Sequence, residues 1–204
     1  MARTKDPAVR ARLIDRAAHL LAARQPVTLR TLVAGTGVST MAVYTHFGGI
    51  DGLWRAVRQE GFTRLAAALG TVEQTGDAVR DLAALGAAYT VNALAEPDLY
   101  RVMFDATAEL EDAAAADDTL HALVATIERA KADKRFGPQV DAVELATQSW
   151  IIGHGLTALV ATGPLPREIL TQAVPMLTAL YVSAGDERRR CHASVLAGWQ
   201  AALG

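Results

Sequence analysis

The segment TLRTLVAGTGVSTMAVYTHF, Thr28 to Phe47, holds two short amphipathic patterns separated by glycine. Thr28 is a good N-cap, and Leu29, Leu32 and Val33 form one apolar face at helical spacing. Gly37 can take the positive φ a tight turn requires, where a side chain would be strained. Val38 points inward, and Ser39 caps a second helix that buries Ala42, Val43 and Phe47. The faces left over carry Thr40, Met41, Tyr44, Thr45 and His46. Two helices so arranged make a helix-turn-helix, whose second helix is shaped for a DNA major groove.

On the N-terminal side, MARTK reads as a short basic arm. Asp6-Pro7 marks a helix start, with acid at the positive end and proline at the first position. Val9, Leu13, Ile14, Ala17, Leu20 and Leu21 continue that helix to about Arg24, and Pro26 stops it. On the C-terminal side, Gly48-Gly49 breaks the chain before a fourth helix from about Ile50 to Leu69, with Leu53, Trp54, Val57, Phe62 and Leu65 inward. No Ser/Pro-rich linker intervenes, so residues 1–49 read as a helix-turn-helix domain and 50–204 as a larger helical domain, with helix 50–69 bridging them.

The rest is helical text. The expected segments are Asp77–Ala95, Asp98 to about Phe104, Thr107–Lys134, Asp141–Ala161, Pro166–Ser183 and Asp186–Leu203, punctuated by Pro97, Gly137-Pro138, Gly163-Pro164 and Gly185. No period-2 strand pattern and no internal repeat is present. The fold class is all-α.

Composition agrees. Half of the 204 residues are hydrophobic and only 5% aromatic, which favours closely packed helices with a sizeable core. The one cysteine, Cys191, excludes an internal disulfide framework and fits a reducing cytosol. The N-terminus lacks the apolar segment of a signal peptide, and the apolar run around Trp150–Thr162 is too short to span a bilayer. A soluble, cytoplasmic protein without a membrane partner is expected. The net charge of −2 hides an asymmetry: through Arg64 it is +6, and beyond it −8. A basic head on an acidic body suggests that the head alone meets a polyanion; uneven surface charge without a partner is the other reading.

Reading a DNA sequence needs side chains that reach base edges and phosphate contacts that fix register. Thr40, Met41 and Tyr44 occupy the exposed face of the second helix: threonine pairs with several bases, methionine meets a thymine methyl, tyrosine bonds or packs. Thr28, Thr45 and His46 are the phosphate-side candidates, joined by Ser39 and the helix-start amides. Tyr44 packing within the head, and His46 as a capping or packing histidine, are the structural alternatives. One head covers too few base pairs for genomic specificity, so a homodimer on a palindromic double-stranded operator is expected, its recognition helices about 34–36 Å apart or a multiple of that. The helix Asp141–Ala161 with one of the two C-terminal helices is the candidate dimer surface. Gly153, Gly155 and Ala158 there permit close approach, between subunits or within one.

The chain resembles the TetR family of bacterial transcriptional regulators. The resemblance is strongest from Ala11 through Val57, and GVSTMAVYTHFGGIDGL, Gly37–Leu53, carries it. AYTVNALAEPDLYRVMF and SWIIGHGLTAL are similar to one C-terminal subtype with a Trp…His-Gly signature, matched by Trp150, His154 and Gly155. Ile50 with Asp51 stands where many members have a phosphate-contacting lysine, leaving Arg55 or Arg58 to compensate, and Val33 replaces a frequent alanine. The resemblance implies that Arg30 reaches a guanine, and that the body encloses a pocket for a small effector that alters head spacing, with repression as the family default. Tyr89, Asn92, Tyr100, Met103, Phe104, His121, Gln148, Trp150 and His154 are the pocket candidates. A mainly apolar cavity with a few polar groups suits an apolar or aromatic ligand. The alternative is that these residues are core; Trp150 and His154 share a face at i, i+4, as a structural histidine would.

An enzyme is the rival class. No phosphate-binding glycine loop, HExxH or paired-cysteine motif occurs. Gly153-His154-Gly155 follows no strand, as a dinucleotide site requires. His121, His154, His192 and Cys191 lack metal-ligand spacing. No catalytic residue, metal or cofactor is expected. A further reading keeps the DNA-binding head but has the body answer to a protein partner or to its own concentration.

Overall fold

A computed structural model describes residues 6–104, 110 and 114–203, and every regular element among them is a helix. The basic arm 1–5 lies outside the described residues, as does most of the expected helix start from Thr107. By contacts the chain forms two compact units, one from Met1–Arg64 with Glu96–Ala115, the other from Leu65–Ala95 with Ala116–Gly204.

The first unit begins with α1, Pro7–Ala22, where the Asp6 carboxylate accepts from the Ala8 amide at 2.9 Å. It ends where Arg24 turns to φ 53°, just short of the expected limit. Helix α2, Leu29–Val33, opens on a capping box in which Thr28 and Thr31 each accept the other's amide. The turn is left-handed at Gly37 (φ 71°) and also at Gly35 (φ 74°). Thr36 Oγ1 donates to Val33 O and accepts from the Val38 amide, while Arg12 Nη1 donates to Thr36 O at 2.9 Å, tying the turn to α1. Helix α3, Thr40–Phe47, ends at left-handed Gly48 (φ 74°), whose amide donates to Tyr44 O. Helix α4, Ile50–Gly70, follows.

Leu13, Ile14, Leu20, Leu32, Val43, Leu53 and Val57 close the core of this unit. Leu99 and Val102 join them from α6, Pro97–Met103. Arg101 Nη1 donates to Ala22 O at 2.8 Å, and Arg58 Nε to Met103 O at 3.1 Å, so α6 is bonded to both α1 and α4. Arg64 gathers Asp15, Glu60 and Glu96, each at 2.9 Å.

The second unit contains α5 (Ala78–Ala95), α7 (Ala114–Ala132), α8 (Ala142–Ala161), α9 (Ala173–Ser183) and α10 (Arg188–Leu203). The single helix expected over 166–183 is instead a 3-10 segment, Arg167–Gln172, leading into α9. Pro175 explains this: it has no amide to donate, and starting the α-helix at Ala173 puts it in the first turn, where none is needed. Helices α5 and α10 pack at backbone distance; a Cβ on Gly198 would fall 2.0 Å from Arg80 O.

A buried polar cluster ties the ends of these helices together. Arg135, following α7, donates from Nε and Nη2 to both Asp186 oxygens at 2.7 and 2.6 Å, and from Nη1 to Asp77 at 2.7 Å. Ser194 of α10 donates to Asp77. Both side chains of the Arg135–Asp186 pair are 2% exposed. Burial pushes the Asp77 carboxyl up, but Ser194, the Arg80 amide and Arg135 outweigh it and hold it below the usual range. Cys191 is buried nearby, its thiol pushed up to about 12, chiefly by burial, while His192 is exposed. No helix among the described residues is long and apolar enough to cross a membrane.

Candidate functional site

Helix α3 has two unlike faces, and the core beneath it determines which is which. Val43 is 0% exposed and locks the helix onto α1 and α2, while Met41 is 66% and Tyr44 51% exposed. Large apolar side chains standing in solvent beside each other are costly without a partner surface. Ser39, Thr40 and Thr45 are exposed as well. Thr45 Oγ1 donates to Met41 O at 2.9 Å, which holds the hydroxyl against its own helix and leaves its oxygen able to accept. His46 is half-buried, its ring 6.0 Å from Phe47, over which the Arg10 guanidinium lies at 5.7 Å. Thr28 and Arg30 are exposed on α2. Of the two arginines following the glycine break, Arg55 is exposed and Arg58 is half-buried against Met103 O.

In the second unit Tyr89, Trp150 and His154 come together around a cavity of ≈ 30 Å³ whose walls include Leu82, Leu123 and Trp199. The Tyr89 hydroxyl lies 2.7 Å from His154 Nδ1, and the Trp150 ring 5.9 Å from the imidazole. Burial lowers the His154 pKa and favours the neutral ring, and the tautomer protonated at Nε2 lets Tyr89 donate to Nδ1. A space this small holds about one water molecule.

The other pocket candidates lie elsewhere. Asn92 lines a groove with Arg80, Ala84 and Ala88. His121 and Gln148 are exposed, and Gln148 donates to Glu144 on its own helix. Tyr100, Met103 and Phe104 belong to the first unit, where Phe104 meets Phe62 and Tyr100 edge-on. Sequence reading missed Arg12 as the clamp on the recognition turn, because its partner Thr36 is 24 residues away. Among the described residues no group of three or more His, Cys, Asp or Glu side chains could hold a metal ion.

Helices α8 and α9 both carry large apolar side chains in solvent. On α8 Val143 (55%), Ile151 (62%) and Leu159 (44%) are exposed, with Trp150 at 36%, and on α9 Met176 (42%).

Residues 82–199 match the family described as tetracyclin repressor-like, C-terminal domain. Comparison with curated proteins gave no match. Among solved structures, the chain is similar to a protein with unknown function from Rhodococcus sp. RHA1, at 26% identity, TM-score 0.70, covering 91% of this chain and 100% of that one. It is also similar to the TetR family transcriptional regulator PfmR from Thermus thermophilus, at 17% identity and TM-score 0.70, covering 86% and 100%. The TetR family protein CprB from S. coelicolor A3(2) gives 19% identity and TM-score 0.72, covering 95% and 97%.

Proposed function

This chain belongs to the TetR family of transcriptional regulators, and on that premise we propose that it acts as a homodimeric repressor of a palindromic operator, released by a small, mainly apolar effector. The observation that carries the reading is the two-faced α3: Met41 and Tyr44 stand in solvent while Val43, between them, is sealed in the core. Thr40, Met41 and Tyr44 read base edges, and Arg30 reaches a guanine from α2. Thr28, Ser39, Thr45 and His46 meet phosphates, together with the amides at the start of α3.

The exposed apolar side chains of α8 and α9 support a second copy of the chain as their cover. The functional division falls near residue 50, with helix 50–69 linking head to body. A ligand acts by preferring the head spacing that no longer fits the operator, since equal affinity for both spacings would shift nothing. The small space beside Tyr89, Trp150 and His154 would have to open to admit an apolar molecule. The protein works in the cytoplasm and performs no catalysis.

The test uses duplex DNA from upstream of the protein's own coding region, titrated at several salt concentrations and followed by fluorescence anisotropy. The expected result is two protomers per palindrome and affinity falling steeply with salt, by a log–log slope of about 0.9 per neutralised phosphate. Protein that stays monomeric at micromolar concentration and binds no duplex at low salt would falsify the proposal.

A further inference from the structure

Helix α1 meets α3 at its end and at the turn before its start. The Arg10 guanidinium lies 5.7 Å from the centre of the Phe47 ring, in the last turn of α3. Arg12 Nη1 donates to Thr36 O at 2.9 Å, in the turn that leads into α3. The two ends of the helix are otherwise held unequally. Val43 is the buried residue of α3, Phe47 packs against the same core, and left-handed Gly48 closes the helix through Tyr44 O. Toward the start, Ser39, Thr40 and Met41 are all exposed, and Ser39 makes no side-chain capping bond.

The turn supplies little stiffness of its own. Gly35 and Gly37 are both left-handed, and glycine keeps more backbone freedom than any other residue. Thr36 Oγ1 donates to Val33 O at 2.8 Å and accepts from the Val38 amide at 3.2 Å. These bonds are local: they fold the turn without fixing where it sits. Half-buried Val38 gives it an apolar anchor. Among the described residues the bond from Arg12 is the one side-chain hydrogen bond that reaches the turn from another helix, across 24 residues of sequence. In a helix-turn-helix the start of the second helix contacts the base edges. Such contacts demand placement within about 0.5 Å and 10–20°. The end of α3 that has to be placed best is therefore the end that depends on Arg12.

We propose that Arg12 is a positioning residue for sequence discrimination: by holding Thr36 O it fixes the tilt of the first turn of α3, and so sets how well Thr40 and Met41 meet base edges, without itself contacting DNA. The assignment rests on the reading of the head as DNA-binding and adds to it a residue outside the two helices of the recognition motif.

The test compares the full wild-type chain with Arg12→Met, which keeps an apolar stem and removes the donors. Each is titrated with the palindrome from upstream of the coding region and with a scrambled duplex, by fluorescence anisotropy at several salt concentrations. The temperature is one at which circular dichroism shows both proteins fully folded, so lost stability alone moves neither affinity. Palindrome affinity is expected to fall by at least about tenfold, with scrambled affinity within about threefold and the salt slope unchanged. In the free variant, ¹⁵N relaxation should show residues 35–40 more mobile and residues 44–47 as in wild type. A phosphate contact by Arg12 would instead weaken both duplexes together and lower the log–log slope by about 0.9 per protomer. That result, discrimination equal to wild type, or an unchanged turn in the relaxation data would overturn the proposal and leave the DNA-binding reading standing. Wild-type protein that binds neither duplex would overturn both.

Discussion

Val43 and Tyr44 are sequence neighbours that face opposite ways, and truncating each separates folding from recognition. Val43 is 0% exposed, so Val43→Ala removes two enclosed methyl groups. At about 0.8 kcal/mol each for transfer, plus a cavity contribution, the loss of stability should be about 2 kcal/mol. Tyr44 is 51% exposed, and Tyr44→Ala should change stability by no more than about 0.5 kcal/mol. Its effect should appear on DNA instead. A base-edge contact is worth about 1–3 kcal/mol, and a dimer makes it twice, so specific affinity should fall by about 2–6 kcal/mol, roughly 30-fold to 10⁴-fold. Urea denaturation measures the first quantity; anisotropy on the palindrome against a scrambled duplex at fixed salt measures the second. Under conditions where it stays folded, Val43→Ala should keep near-native affinity. Wild-type affinity in Tyr44→Ala, or equal destabilisation by both variants, would refute the two-faced assignment of α3.

Three further outcomes are expected. Asp186→Ala leaves the buried Arg135 with Asp77 as its remaining carboxylate, so the loss in urea denaturation should be about 3 kcal/mol, the low end for a broken buried pair, while Arg135→Met with Asp186→Leu should regain most of it; a single-variant loss below about 1 kcal/mol would show the pair to be idle. His154 titrates below the ordinary imidazole value of 6.5 because it is buried, so the unfolded chain takes up its proton first. Its stability contribution is whole above pH 6.5 and falls as pH drops from there through the folded pKa; His154→Gln should flatten that slope, and parallel wild-type and variant curves would contradict it. Ile151 is 62% exposed, so Ile151→Asp should leave helix content unchanged yet yield monomers in sedimentation velocity; an intact dimer would place the interface elsewhere.

The head was legible because its signals are local. Asp6-Pro7, the Thr28 cap and the glycine before Val38 each act within a few residues of themselves, and the capping and φ values follow from them. What escaped reading depends on long-range contact. The sequence marks a short helix from Asp98 to about Phe104, but nothing in it says that Leu99 and Val102 complete the core of the first unit. His121 and Gln148 were placed on helices, yet the wall a side chain turns to is settled only by what packs behind it. The cluster of Arg135, Asp77, Asp186 and Ser194 was invisible for the same reason: its members sit up to 117 residues apart. Pro175 is a local signal too, and it is what divides 166–183 into a 3-10 segment and α9.

The close seating of α5 on α10, with Gly198 against the Arg80 carbonyl, has a consequence for biosynthesis. About a hundred residues separate the two helices, so at roughly 5–20 residues per second the ribosome releases α5 some 5–20 s before its mate exists. For that interval the nascent second unit presents an unmatched greasy flank and an arginine awaiting its aspartate. The described core of the head is complete once α6 is made, so it can settle early. Chains cut short before α10 should therefore emerge with an ordered head and a body prone to clumping.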